Sequence, residues 1–247
     1  MIIQACGASQ YLTVGYFVRA EHLDYGKHLL LNLDLLIPYT DLFIPAYIFM
    51  NAFPLCVFLL ILFFGKENSN LTFVRQFICM LIFMQTVAFA IFYLYPTSMD
   101  ALIASAGTPY NFFPNITHYY NSNVLPSFNS LPSLHIADSW LMVLVFFYFF
   151  PEDSKVKKCL EFSLVILFIL IALSTVTLKY HYLMDVFTGM LLAEIAFVLI
   201  VLNNFCKVEK WESICGKKHL LFMEFLLALI MVSAIVLAYP NYMALGH

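Results

Sequence analysis

Long apolar runs, each about the length needed to cross a bilayer, dictate what this chain can become. We read about six, at 42–64, 74–95, 133–150, 160–178, 181–203 and 220–239. A membrane-spanning helix needs about 20 mostly apolar residues, and these runs meet or approach that length. The 247 residues are 63% hydrophobic and 11% charged, against roughly a quarter charged in a soluble domain. A water-facing surface cannot be built from that composition. The expected architecture is therefore all-α, a multi-pass transmembrane helical bundle of about six spans filling residues 42–239. Residues 1–41 form an N-terminal segment and 240–247 a short tail. Within the first segment, the apolar piece 28–37 is too short to span and stops at Pro38. It reads as an interfacial helix, with an extra span inside 2–18 as the alternative. Met1-Ile2-Ile3-Gln4 lacks the positive region of a cleaved leader.

Alternation of the spans sorts the loops onto two faces. The longest connection, 96–132, is rich in Pro, Asn, Ser and Tyr, and a loop of that length is usually functional or disordered. It shares a face with the start of the third span and the start of the fifth. Only Arg19, Lys27 and Lys179 lie on that face. Lys66, Arg75, Lys155, Lys157, Lys158, Lys207, Lys210, Lys217 and Lys218 lie on the other, which completes the 12 basic residues. Cytoplasmic loops collect Lys and Arg, so the loop-bearing face points to the periplasm, the outside or an organelle lumen. Two Asn-x-Thr sequons, at Asn70 and Asn115, fall on opposite faces. A net charge of −3 with no basic tail gives no sign of nucleic acid. None of the six cysteines forms a Cys-x-x-Cys pair, so neither metal nor a disulfide is indicated.

Two short stretches on the loop-bearing face carry the chemistry. They are Asn129-Ser130-Leu131-Pro132-Ser133-Leu134-His135 and Lys179-Tyr180-His181-Tyr182-Leu183-Met184-Asp185. Ionisable groups at membrane depth are costly and mark functional sites by default. His181 and Asp185 are spaced i, i+4, within reach on one helix face. A carboxylate beside imidazole fixes one tautomer and leaves the other ring nitrogen free as nucleophile or base. Gly189, one further turn along, lets a neighbouring helix approach closely. Pro132-Ser133 reads as a helix start, with Ser130 or Ser133 as cap, and the free N–H groups of such an end suit an anion. His135 sits in that first turn. Asp138 and Ser139 follow three and four residues on; either orients His135, or Asp138 is an interfacial polar group. His22, His28, His219 and His247 read as ordinary interface residues, while His118 lies on the long loop of the active face. No third ligand completes a metal site with the two histidines.

These residues resemble a known family. Pro132-Ser133-Leu134-His135 is similar to the Pro-Ser-x-His motif of the type 2 phosphatidic acid phosphatase superfamily, and His181-Tyr182-Leu183-Met184-Asp185 is similar to its His-x-x-x-Asp motif. The Pro-Ser-Leu-His and His-Tyr-x-x-Asp forms most resemble the branch of inositol phosphorylceramide synthases and, more distantly, sphingomyelin synthases. Leu33-Asp34-Leu35-Leu36-Ile37-Pro38-Tyr39 and Tyr95-Pro96-Thr97 add weaker similarity. The resemblance implies metal-free and cofactor-free phosphoryl transfer. His181 attacks phosphorus and becomes a phosphohistidine, Asp185 supports it, His135 protonates the leaving oxygen, and Ser133 with its N–H holds the phosphate. The family's Lys-x6-Arg-Pro motif is missing, and Thr175 stands where the second motif usually has arginine. Lys179 is the one basic residue in either stretch and either binds the phosphate or anchors a span end.

That shortage of cations bears on the substrate. A phosphomonoester carries nearly two charges at neutral pH and a diester one, and dianion sites recruit several Arg or Lys. The expected function is transfer of a phosphate-containing headgroup from a phospholipid donor to a lipid alcohol acceptor such as ceramide or diacylglycerol. Tyr110, Phe112, Phe113, Tyr119 and Tyr120 on the long loop supply a lid against water. The alternatives are a lipid phosphate phosphatase with water as acceptor, and a non-catalytic transporter or scaffold on the same fold.

Overall fold

A computed structural model of the chain describes residues 32–64, 70–97, 99, 102, 112–113, 130–150 and 155–202. These residues are helical, with no β-strand among them. We number the helices α1 (Asn32–Leu36), α2 (Ile44–Phe49), α3 (Phe53–Phe64), α4 (Asn70–Leu94), α5 (Leu134–Phe149), α6 (Lys155–Thr177) and α7 (Leu183–Phe197). A π-helical turn, Val198–Leu202, prolongs α7. Three stretches, Phe73–Leu94, Val156–Thr177 and Leu183–Val201, are long and apolar enough to cross a membrane; Phe53–Phe64 and Leu134–Phe149 are shorter apolar helices. The expected span at 220–239 lies outside the described residues.

The first expected span, 42–64, is not one helix. It breaks at Met50–Ala52 into α2 and α3. The cause is local: Pro54 has no N–H to give to the carbonyl of Met50, and its ring collides with that carbonyl in a continuous helix. Pro45 and Pro54 each open the first turn of the helix they belong to, where proline is tolerated. The other boundaries shift by a few residues. The expected 160–178 begins earlier, at Lys155, because Lys157 reaches back to the carbonyls of Phe147 (3.4 Å) and Phe150 (3.2 Å) at the end of α5. A cation there satisfies carbonyls that have no intrahelical partner.

The bundle is apolar inside and out. Ile136, Ala137, Leu141, Met142, Val145 and Phe146 of α5 are fully buried, and α5 packs along α6, α7 and α3. Yet Phe162, Ile166, Ile169 and Leu173 form an exposed apolar stripe down α6, as Phe187, Leu191 and Ile195 do down α7. Helices apolar all round are those of a lipid environment. Polar backbone is satisfied internally, as hydrocarbon requires: at the π-helical turn, the carbonyl of Ile200 accepts from the side chain of the buried Gln76 (3.4 Å).

Gly189 permits a close helix approach. A Cβ there would stand 2.5 Å from the carbonyl oxygen of Ser133 and 3.2 Å from the Cβ of Ile136. Only glycine lets the start of α5 lie this close to α7.

Candidate active site

Four chain ends meet at one end of the bundle: the C-terminal ends of α4 and α6 and the N-terminal ends of α5 and α7. Thr97, just past α4, accepts hydrogen bonds from the hydroxyl of Ser130 (2.6 Å) and the N–H of Leu131 (3.1 Å), just before α5. Ser133 N–H donates to the carbonyl of Asp185 in α7 (3.1 Å). The N–H groups of Tyr180 and His181 both donate to the carbonyl of Thr175 near the end of α6 (3.0 and 3.2 Å). Both histidine stretches are thereby fixed to common neighbours.

His181 does not lie on a helix. It sits in the turn before α7, and Asp185 is the third residue of that helix. Their contact is real but has a different origin from helical i, i+4 spacing. Asp185 bends back over the helix start, where its Oδ2 accepts from the N–H of Tyr182 (2.8 Å) and lies 3.3 Å from Nδ1 of His181. The same Nδ1 lies 3.1 Å from the carbonyl oxygen of Ser130. Both neighbours are acceptors only, so Nδ1 carries a ring proton, and in the neutral ring the lone pair is on Nε2. In that tautomer Nε2 is available as a nucleophile or base. It is 5% exposed, and Asp185 is fully buried.

His135 enters from α5. Ser133 caps that helix, its hydroxyl oxygen accepting from the N–H of Ile136 (3.4 Å). The N–H of Ser133, expected to hold phosphate, is taken by Asp185. That leaves the N–H groups of Leu134 and His135 without intrahelical partners. The rings of His135 and His181 are 5.7 Å apart between centroids and nearly perpendicular, at 80°. Rings this close can both reach one small anion lying beside them. Of the remaining candidates, Asp138 makes no bond to His135 through its Oδ1, which is buried without a partner, as is the Ser139 hydroxyl.

Lys179 lies two residues before His181 in a left-handed conformation, φ 59°. That costs a non-glycine residue about 1–2 kcal/mol. Its ammonium donates to the carbonyls of Asp34 (2.6 Å) and Ile37 (2.7 Å). Burial pushes its pKa below the usual lysine range, and the carboxylate of Asp34 opposes that shift.

Sequence reasoning missed three residues. Tyr47 of α2, 2% exposed, places its hydroxyl 3.4 Å from Nε2 of His135 and packs edge-on against both His135 and Tyr180. Thr97 fixes Ser130, whose carbonyl in turn holds His181. Asp41 is fully buried, and its carboxylate accepts from the N–H groups of Phe112 and Phe113, anchoring that piece of the long loop. Tyr95-Pro96-Thr97 signalled the second of these; Asp41 showed only its charge, and nothing distinguished Tyr47. Tyr110, Tyr119, Tyr120 and His118 lie outside the described residues.

A family model described as the PAP2 superfamily matches residues 18–199, well over half of the chain. The chain belongs to the PAP2 superfamily. Members of the superfamily are generally phosphatases or phosphotransferases. With its apolar helices, this PAP2 protein is an integral membrane protein. No curated protein and no solved structure matches it. Among the described residues, no three His, Cys, Asp or Glu side chains converge as a metal site.

Proposed function

We propose that this PAP2 protein is a lipid phosphotransferase working through a phosphohistidine on His181. The observation that carries the reading is the pair of acceptors around Nδ1 of His181, which in the neutral ring puts the lone pair on Nε2, in a ring 5.7 Å from His135. In the first step, Nε2 attacks the phosphorus of a phospholipid. A P–N bond forms, the P–O bond to the glycerol backbone breaks, and His135 gives its proton to the departing oxygen. In the second, the hydroxyl oxygen of a lipid alcohol attacks, the P–N bond breaks with its electrons returning to Nε2, and His135 takes the hydroxyl proton. The products are diacylglycerol and a new phosphodiester. Asp185 stabilises the phosphorylated imidazole, and the Ser133 hydroxyl contacts the phosphate.

The electrostatics favour a diester. Among the described residues, Lys179 is the only basic side chain at this end of the bundle, and its ammonium is already bonded to two carbonyls. Arg75, Lys155, Lys157 and Lys158 belong to the opposite ends of α4 and α6. A singly charged phosphate suits so few cations better than a dianion. The acceptor is a lipid alcohol, ceramide or diacylglycerol, in keeping with the resemblance of the histidine motifs to inositol phosphorylceramide synthases. The site faces away from the cytoplasm, on the count of basic residues. A second reading, a phosphatase of the same superfamily, shares the first step and differs in using water.

The test is to incubate detergent-purified protein with mixed phospholipids plus labelled ceramide and diacylglycerol. The expected result is a new labelled diester with little free phosphate, abolished by His181→Ala. Release of phosphate from monoester lipids with no new diester would establish the phosphatase instead, and unchanged turnover in His181→Ala would remove the histidine mechanism altogether.

A further inference from the structure

Helix α1 inverts the usual pattern of a surface helix. Leu33, Leu35 and Leu36 are exposed, Leu36 at 77%, while the charged Asp34 is 2% exposed. The leucines suit lipid; the carboxylate faces the protein. Its Oδ1 accepts from the N–H of Leu183 (2.9 Å), the first residue of α7. In return, Lys179 donates to the backbone carbonyls of Asp34 and Ile37, at the C-terminal end of α1. An anion of α1 thus caps the start of α7, and a cation from the turn before α7 caps the end of α1. His181 lies between the two anchor points, two residues after Lys179 and two before Leu183. Thr40 N–H adds a bond to the carbonyl of Thr177 (3.1 Å) on the same side.

We propose that Asp34 and Lys179 form a reciprocal clamp that positions His181, making them positioning residues for phosphoryl transfer rather than contacts of the phosphate. This rests on the phosphohistidine reading given above and assigns Lys179 a different duty from phosphate binding. The turn 178–182 follows the capped end of α6, where the N–H groups of Lys179 and Tyr180 donate to the carbonyls of Val176 (3.2 Å) and Thr175 (3.0 Å) and Lys179 takes the left-handed conformation usual after such a cap. That cap fixes the turn to α6; the ammonium of Lys179 and the carboxylate of Asp34 fix it to α1, more than 140 residues away in sequence. With those ties removed, the turn is held from one side only, and Nδ1 of His181 shifts away from Ser130 and Asp185. A misplacement of about 1 Å at a reacting atom reduces a rate about a hundredfold.

The clamp has a distinct kinetic and spectroscopic signature, to be read in purified full-length protein. Asp34→Ala and Lys179→Met are each expected to lower kcat about a hundredfold, with KM for the donor phospholipid changed less than about threefold. Asp34→Asn keeps an oxygen acceptor for Leu183 and the backbone carbonyl for Lys179, so it should recover most of the loss. Lys179→Gly, which relieves the backbone strain but lacks the ammonium, should behave like Lys179→Met. Independently of activity, 15N-histidine NMR, with the His181 signal assigned by its loss in His181→Ala, should show a protonated Nδ1 in wild type and in Asp34→Asn. That signal should shift toward a mixed tautomer in Asp34→Ala. If Lys179→Met instead raises KM with kcat intact, Lys179 holds the phosphate and the clamp is wrong. Wild-type kcat together with an unshifted His181 signal in folded Asp34→Ala also overturns it. A wild-type protein that turns over no lipid but whose His181 signal responds to Asp34 would leave the clamp standing and remove only the transferase reading.

Discussion

At the residue scale, the site depends on a few polar atoms placed against apolar walls. Tyr47 shows this most simply. Its ring packs between His135 and Tyr180, and its hydroxyl lies beside Nε2 of His135, the residue proposed to pass the proton. Tyr47→Phe keeps the packing and removes only the hydroxyl. We expect kcat to fall about tenfold, the scale of one neutral hydrogen bond, with the thermal midpoint unchanged; a wild-type rate would place Tyr47 outside the chemistry. Tyr47 was invisible in the sequence because it is one of the chain's 15 tyrosines and lies in an apolar run, and only folding sets it against His135. His135, His181 and Asp185 were legible for the opposite reason: ionisable residues are so costly in such segments that each one stands out. Asp34 and Asp41 fall between these cases. Their charges were visible, but the backbone N–H groups they serve lie 149 and 71 or 72 positions away.

At the element scale, the close passage of α7 beside the start of α5 holds the two histidines within reach of each other. Gly189 permits it. Gly189→Ala puts a methyl 2.5 Å from the backbone oxygen of Ser133, which has no rotamer to yield with. The helices must separate, at a cost of about 1–3 kcal/mol typical of overpacking. The expected outcome is a lower unfolding temperature together with a loss of turnover, since the same shift pulls Ser133 from Asp185 and His135 from His181. A variant with normal activity and stability would mean that α5 and α7 do not meet as described. The close approach at Gly189 was readable from the sequence, as was the helix start at Ser133. The division of 42–64 was not, although Pro45, Asn51 and Pro54 signal it in hindsight: hydropathy sums over a window and does not register where a backbone N–H is missing. The same limitation put His181 on a helix. The i, i+4 spacing gave the correct partner for the wrong reason, because a residue two places before a helix and the third residue within it also meet at a capped start.

At the scale of the whole molecule, alternation of spans predicted that the two histidine stretches share one end of the bundle, and the bonds linking Thr97, Ser130, Thr175 and Asp185 are those of such an end. The compartment outside that end is a separate matter, argued from charge alone. Asn70 opens α4 at its far end, about 36 Å from Leu94 at 1.5 Å per residue. In a eukaryotic host, Asn115 is therefore expected to be glycosylated and Asn70 not, read as a glycosidase-sensitive mobility shift lost in Asn115→Gln but kept in Asn70→Gln. Modification at Asn70 alone would invert the topology. Composition and hydropathy made the membrane class legible, since 63% hydrophobic residues leave no alternative solvent. The donor headgroup and acceptor were not, because they depend on the shape of the site and on who covers it, and neither is written in a local pattern.

In the proposed reaction, phosphorus becomes bonded to the ring of His181. The direct measurement is to expose the protein to phospholipid labelled at phosphorus, quench within one turnover in alkali, where phosphohistidine survives, and map the label by mass spectrometry. Label is expected on His181, absent in His181→Ala and formed far more slowly in His135→Ala. Label on another residue, or product formed by His181→Ala at the wild-type rate, would contradict this reaction.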